Sequence, residues 1–153
     1  MEIKSTNHKP IPKGDNLKIS IVLPYFNEKI GLELYENCME ALLENGVKKS
    51  NTNLVRVPGA LEVPFATQKE IKSSNPDAVI ALGAVIKGET DHYDQVCNET
   101  FRALMDLQLK LETPIIFGIL TCNTEAQAKN RSSKTGMDKG KSYALAALIQ
   151  TDL

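Results

Sequence analysis

The sequence predicts an α/β fold: a three-layer α/β/α sandwich on a four-stranded parallel sheet, preceded by a polar N-terminal arm. Three observations predict it. Strand-like apolar segments alternate with segments of helical periodicity, the pattern of parallel strands joined by crossover helices. The longest apolar segment, 78–86, carries no polar side chain, as expected of a strand buried on both faces. The connections between segments are short, as in compact α/β domains.

Residues 1–16 are polar and contain Pro10, Pro12 and Gly14. They are expected to form an arm that is disordered or tied down by a neighbouring subunit. His8, within it, reads as inert. Residues 17–153 read as one domain. In 17–23, Leu17, Ile19, Ile21 and Leu23 alternate with Lys18 and Ser20, the period of a first strand that Pro24 ends. Residues 28–45 place Ile30, Leu34, Cys38, Ala41 and Leu42 on one helical face. Asn45-Gly46 should stop that helix in a left-handed cap.

A short second strand is expected over 53–57. Pro58, Gly59 and Pro64 then fix a rigid loop. A helix over 64–73 follows, then a turn at Asn75-Pro76-Asp77, then the strand 78–86. From His92 to Lys110 the apolar residues recur at helical spacing. Thr113-Pro114 leads into a fourth strand, 115–120, with Thr121-Cys122-Asn123 as its terminal loop. A short helix over 124–130 has Thr124 as its N-cap. A polar bend, 132–139, precedes the last helix, 140–151. That helix is apolar almost all round, which predicts a second buried face against another subunit.

The chain has 153 residues, 42% of them hydrophobic, enough for one domain with a full core. A net charge of −1 offers no electrostatic footing for nucleic acid or an anionic membrane. No signal-peptide pattern and no bilayer-length apolar run is present, so a cytoplasmic protein is expected. Cys38, Cys97 and Cys122 are odd in number and widely spaced. They read as free thiols in a reducing compartment, with no metal site.

The unusual residues fall after the strands: Phe26 and Asn27 after the first, Gly59 to Glu62 after the second, Glu89 to His92 after the third, Thr121 to Asn123 after the fourth. In open parallel sheets the carboxyl ends of the strands carry the ligand. Gly88-Glu89-Thr90 lies where a strand hands over to a helix N-terminus, whose free N–H groups favour an anion. His92 lies in the first turn beside it. Such a histidine is commonly a solvated surface group; beside a phosphate cradle it is also placed for proton transfer. Phe26 reads as core packing or as a stacking platform for a flat heterocycle. Glu62 reads as a helix N-terminal carboxylate or as an acceptor for polyol hydroxyls. Arg131 and Lys139, in the bend, read as surface charges, or Arg131 as a phosphate clamp. Cys97, five positions from His92, does not share its helical face, so a Cys–His nucleophilic pair is not expected.

These motifs resemble the lumazine synthase family. Phe26-Asn27, Pro58-Gly59-Ala60-Leu61-Glu62-Val63-Pro64, the block from Leu82 to Tyr93 with Gly88-Glu89-Thr90-Asp91-His92-Tyr93, and Pro114 to Thr121 carry the resemblance, together with Arg131 and Lys139-Gly140. It implies a flavodoxin-like sandwich that condenses 5-amino-6-ribitylaminouracil with 3,4-dihydroxy-2-butanone 4-phosphate to give 6,7-dimethyl-8-ribityllumazine, without metal or organic cofactor. It implies that Phe26 stacks on the pyrimidine, that Ala60 and Glu62 hold the ribityl chain, and that Gly88, Glu89 and Thr90 receive the phosphate. Arg131 would clamp that phosphate and His92 would shuttle protons. Phe117 and Lys139 would line the pyrimidine pocket, with Phe117, Arg131 and Lys139 supplied by the adjacent subunit. Asn27, Gly59, Leu61, Ala84, Val85 and Ile86 complete the implied substrate-binding set.

The resemblance also implies a homo-oligomer, a ring of five, and in some members a hollow icosahedral shell of twelve rings. The bend departs from the family pattern. Many members read A-G-T-K-A-G-N-K-G after the arginine; here Ser132 to Gly140 keeps the length but places Ser133 where that pattern has glycine.

Overall fold

The computed structural model describes residues 10–153. Residues 1–9, including His8, lie outside the described residues. Strands β1 (Ile19–Pro24), β2 (Thr52–Val57), β3 (Ala78–Ile86) and β4 (Ile115–Cys122) form one sheet in the order β2-β1-β3-β4, every pair parallel. Helices α1 (Glu28–Glu44), α2 (Val63–Ser74), α3 (His92–Leu111), α4 (Glu125–Ser132) and α5 (Lys139–Gln150) cover it. This is the expected three-layer, flavodoxin-like arrangement.

The sheet separates two cores. Ile19, Ile21 and Leu23 point to one face, with Leu34, Leu42 and Leu148; Val22, Val79 and Ala81 point to the other, with Val63, Ile71 and Leu104. Each fully buried Leu or Ile contributes about 1.5–3 kcal/mol, so both helical layers are held by burial more than by helix propensity.

Several boundaries differ from expectation for physical reasons. β1 is an interior strand covered on both faces, so its polar position, Ser20, is only 3% exposed. β4 runs two residues further than expected, because Thr121 and Cys122 pair with Val85 and Ile86 of the long third strand. α4 extends through Ser132, which puts Arg131 in its last turn rather than in the bend. Ser133, where the family pattern has glycine, lies in the extended region at φ −67° and ψ 135°, which serine adopts without strain. In the same bend Asp138 takes a left-handed conformation, φ 45°.

The described part of the arm belongs to its own chain. Ile11 packs against the core, and the Gly14 N–H donates to the Asn45 carbonyl at 2.8 Å. The last helix packs against α1, β3 and β4 through Gly140, Ala144, Ala147 and Leu148, while Tyr143, Leu145, Ala146 and Ile149 stay half-buried. Gly140 permits this closeness: a Cβ there would stand 2.4 Å from the Leu34 carbonyl oxygen. Large apolar side chains are exposed on the outer faces of α2 and α3, where Phe65 is 68% and Leu109 72% exposed, as well as in the loops that carry Tyr25, Phe26 and Leu61. Among the described residues, no helix is long and apolar enough to cross a membrane.

Candidate active site

The chain leaves β1 for β2 on one side and returns to β3 on the other. That reversal opens a crevice at the carboxyl ends of β1 and β3. A cavity of about 370 Å³ lies there. Pro24 enters it from the end of β1 and Phe26 from the loop that follows, Gly59 to Glu62 from the loop after β2, and Ala84, Val85, Ile86, Gly88 and Thr90 from β3 and its loop. His92, Tyr93 and Val96 complete it from the first turns of α3.

Each wall has a local cause. Phe26 is 70% exposed, yet its backbone is tied: its N–H donates to the Pro58 carbonyl at 3.2 Å. The next residue, Asn27, adopts φ 55°, a left-handed conformation that asparagine tolerates. Its Nδ2 donates to the Ala84 carbonyl at 2.9 Å, so it fastens the loop to β3 instead of entering the cavity. Gly83 takes φ 148° within β3, and a Cβ there would meet the Pro24 ring at 3.2 Å. Glycine therefore lets the first loop settle on the third strand.

Ala60–Glu62 forms a single 3-10 turn that leads directly into α2. The turn sets Ala60, Leu61 and Glu62 along one wall. Gly88, Glu89 and Thr90 are exposed, and a Cβ at Gly88 would meet nothing within 4 Å. The Thr90 Oγ1 accepts the His92 N–H at 3.3 Å, which ties the loop to the first residue of α3. The loop therefore presents an open backbone at the positive end of a 20-residue helix.

The expected fourth wall is absent from this cavity. β4 lies at the sheet edge furthest from β2. Phe117 stacks on Phe101, with ring centroids 5.8 Å apart. Arg131 Nη1 donates to the Gln127 carbonyl at 3.2 Å. Burial pushes the Tyr143 phenol up to about 12, and the charge of Arg131 opposes that rise. Lys139 opens α5, and Glu89, within the loop between Gly88 and Thr90, does not line the cavity.

The match to known families shows the family of the chain. The model described as 6,7-dimethyl-8-ribityllumazine synthase covers residues 16–153. The chain belongs to this family. Two relatives carry the same description. One, from Kosmotoga olearia, is 40% identical over 140 residues, spanning 92% of this chain and 90% of that protein. The other, from Thermotoga petrophila, is 37% identical over 141 residues, spanning 92% of this chain and 86% of that protein.

In this lumazine synthase family member, one space brings together an exposed aromatic face, a carboxylate, a helix N-terminus and an imidazole. That set can stack a flat ring, accept hydroxyl protons, receive an anion and exchange a proton. Sequence reasoning did not single out Pro24, Tyr93 and Val96. The signal for Val96 was available, since it lies four positions after His92, on the same helical face. Burial raises the pKa of Tyr93, and the nearby Thr121 side chain opposes the rise.

Proposed function

We propose that the chain condenses 5-amino-6-(D-ribitylamino)uracil with 3,4-dihydroxy-2-butanone 4-phosphate to give 6,7-dimethyl-8-ribityllumazine, the penultimate step of riboflavin biosynthesis. The observation that carries the proposal is the family match over residues 16–153. The cavity supports it, because Phe26, Glu62, Gly88, Thr90 and His92 all border the same volume.

In this reading the pyrimidine stacks on Phe26 and the ribityl hydroxyls bond to Glu62 and the Ala60 backbone. The phosphate sits on Gly88 to Thr90. The pyrimidine amine attacks the ketone and water leaves, forming an imine. Inorganic phosphate is then eliminated. The resulting enol takes a proton and becomes a ketone, which the ribitylamine nitrogen attacks with loss of a second water. Each step moves protons, and His92 is the group placed to accept and return them. Holding both reactants in one cavity supplies much of the acceleration.

The proposal extends to assembly. Phe117, Arg131 and Lys139 complete the pyrimidine pocket and the phosphate clamp of a neighbouring copy. This accounts for their distance from the cavity of their own chain. The exposed Phe65 and Leu109, and the open edge of β2, are the surfaces a neighbour would cover. The working unit is a cytoplasmic homo-oligomer of at least five chains, each a single domain over 17–153 with its arm.

The experiment is direct: purified chain is mixed with the two substrates, and the fluorescence of the lumazine product is followed. Product formation well above the enzyme-free rate is expected. A rate equal to the enzyme-free background would refute the proposal.

A further inference from the structure

We propose that Arg56 is a positioning residue for the pyrimidine substrate, acting through the loop that carries Phe26. The inference rests on the proposed condensation and goes beyond it to a residue outside the cavity wall.

Arg56 lies on β2, an edge strand, directly opposite Leu23 of β1. Its guanidinium folds over the end of β1 and makes four contacts there, two with β1 itself and two with the residues that follow. Nε donates to the Leu23 carbonyl at 3.1 Å, and Nη2 donates to the Pro24 carbonyl at 3.4 Å. Nη2 also meets Glu28 Oε1, in the first turn of α1, at 2.9 Å. The guanidinium carbon stands 4.1 Å from the centre of the Tyr25 ring.

These four contacts bracket Phe26 in sequence, with Leu23, Pro24 and Tyr25 before it and Glu28 after it. Phe26 itself is the exposed ring of the cavity, and its backbone is tied to Pro58 and, through Asn27, to Ala84. A ring exposed to this degree binds a flat partner well only if its backbone is already in place, because ordering it on binding costs affinity. The arginine fork is suited to that task. It is planar, always charged, and bonds carbonyls along its edge while its face covers an aromatic ring. Its side chain is 21% exposed, so water does not fully screen the Glu28 pair.

Neither Arg56 nor Tyr25 lines the cavity. Their effect on substrate must therefore pass through the loop, and it should fall on the pyrimidine alone. The phosphate loop hangs from β3 and α3, which Arg56 does not touch.

The test uses the full-length chain and steady-state kinetics with each substrate varied in turn, for wild type, Arg56→Met, Arg56→Lys and Tyr25→Leu. Arg56→Met should raise KM for the pyrimidine about five- to tenfold, the range of one aromatic contact. KM for the butanone phosphate and kcat should each stay within about twofold. Arg56→Lys should fall between, since an ammonium keeps the pair with Glu28 but not the edge-and-face grip. Tyr25→Leu should raise the pyrimidine KM in the same direction while leaving every hydrogen bond of Arg56 in place. It carries the test if the Arg56 variants do not fold by circular dichroism. Unchanged pyrimidine KM in the folded variants, or equal rises in both KM values, would overturn the proposal. Calorimetric titration of the ribitylaminouracil into each protein separates the two levels of the argument. An inactive wild type that still binds the pyrimidine, more tightly than its variants, would refute the condensation and uphold the role of Arg56. Absence of pyrimidine binding by wild type would refute both.

Discussion

Ser20 and Glu70, fifty residues apart in the chain, meet in the interior: Ser20 Oγ donates to Glu70 Oε1 at 2.8 Å. Asn53 Nδ2 donates to the same oxygen at 2.7 Å. Ser20 and Asn53 are direct partners across β1 and β2. One carboxylate on α2 therefore ties both strands in register, and that register decides which residues of the following loops face the cavity.

Glu70→Ala should lower stability by about 1–3 kcal/mol, because the buried Ser20 hydroxyl loses its acceptor, whereas the exposed Asn53 can turn to water. Glu70→Gln, which keeps an acceptor oxygen, should cost less. Urea unfolding measures both. An unchanged midpoint in Glu70→Ala would mean that water replaces the carboxylate without loss.

His92→Ala should lower kcat about 10²–10⁴-fold, the usual range for a lost proton-transfer group. The effect should sit toward the lower end, since imine formation has an appreciable uncatalysed rate. Binding of both substrates should change far less, and the fold should not change, because His92 is exposed. A variant with wild-type kcat would remove His92 from the mechanism.

Arg131→Lys should raise KM for the butanone phosphate about tenfold, as a point charge replaces a planar fork on phosphate. Affinity for a pyrimidine analogue should hold. Arg131 spends one donor on the Gln127 carbonyl, so its head is steered by α4. Equal weakening of both ligands would instead mark it as a structural residue.

Phe65→Asp should split the assembly while leaving the single chain folded. The side chain is 68% exposed in the isolated chain, so a charge there costs little until a neighbour covers it. Analytical ultracentrifugation should find wild type at five or more copies of the 16.8 kDa chain, and the variant at a lower mass. Ser133 sits in the extended region without strain. A mass near that of sixty chains would match a shell, and a mass of five would exclude it. A fully active wild-type monomer would rule out the shared site.

Local pattern alone was enough to bound β3 at Ala78–Ile86, to start α1 at Glu28 and α3 at His92, and to place Thr124 as the cap of α4, whose Oγ1 accepts the Gln127 N–H. These features depend on residues a few positions apart, which is the range over which periodicity and capping act. The same reach made Phe26, Glu62, Gly88 and His92 legible as candidates, since all lie where a strand ends. Tertiary structure decided the rest. Ser20 looked like the wet side of a strand until Glu70 arrived from α2 to bury it. The apolar stretch of α5 did not say which element would meet its inner face; α1 does so, close at Gly140. Arg56 read as an ordinary strand residue until Leu23, Pro24, Tyr25 and Glu28 gathered round its guanidinium. In each case the partner is far away along the chain and near only once the sheet has formed. The burial or bonding of a polar group is set by that partner and not by its neighbours in sequence.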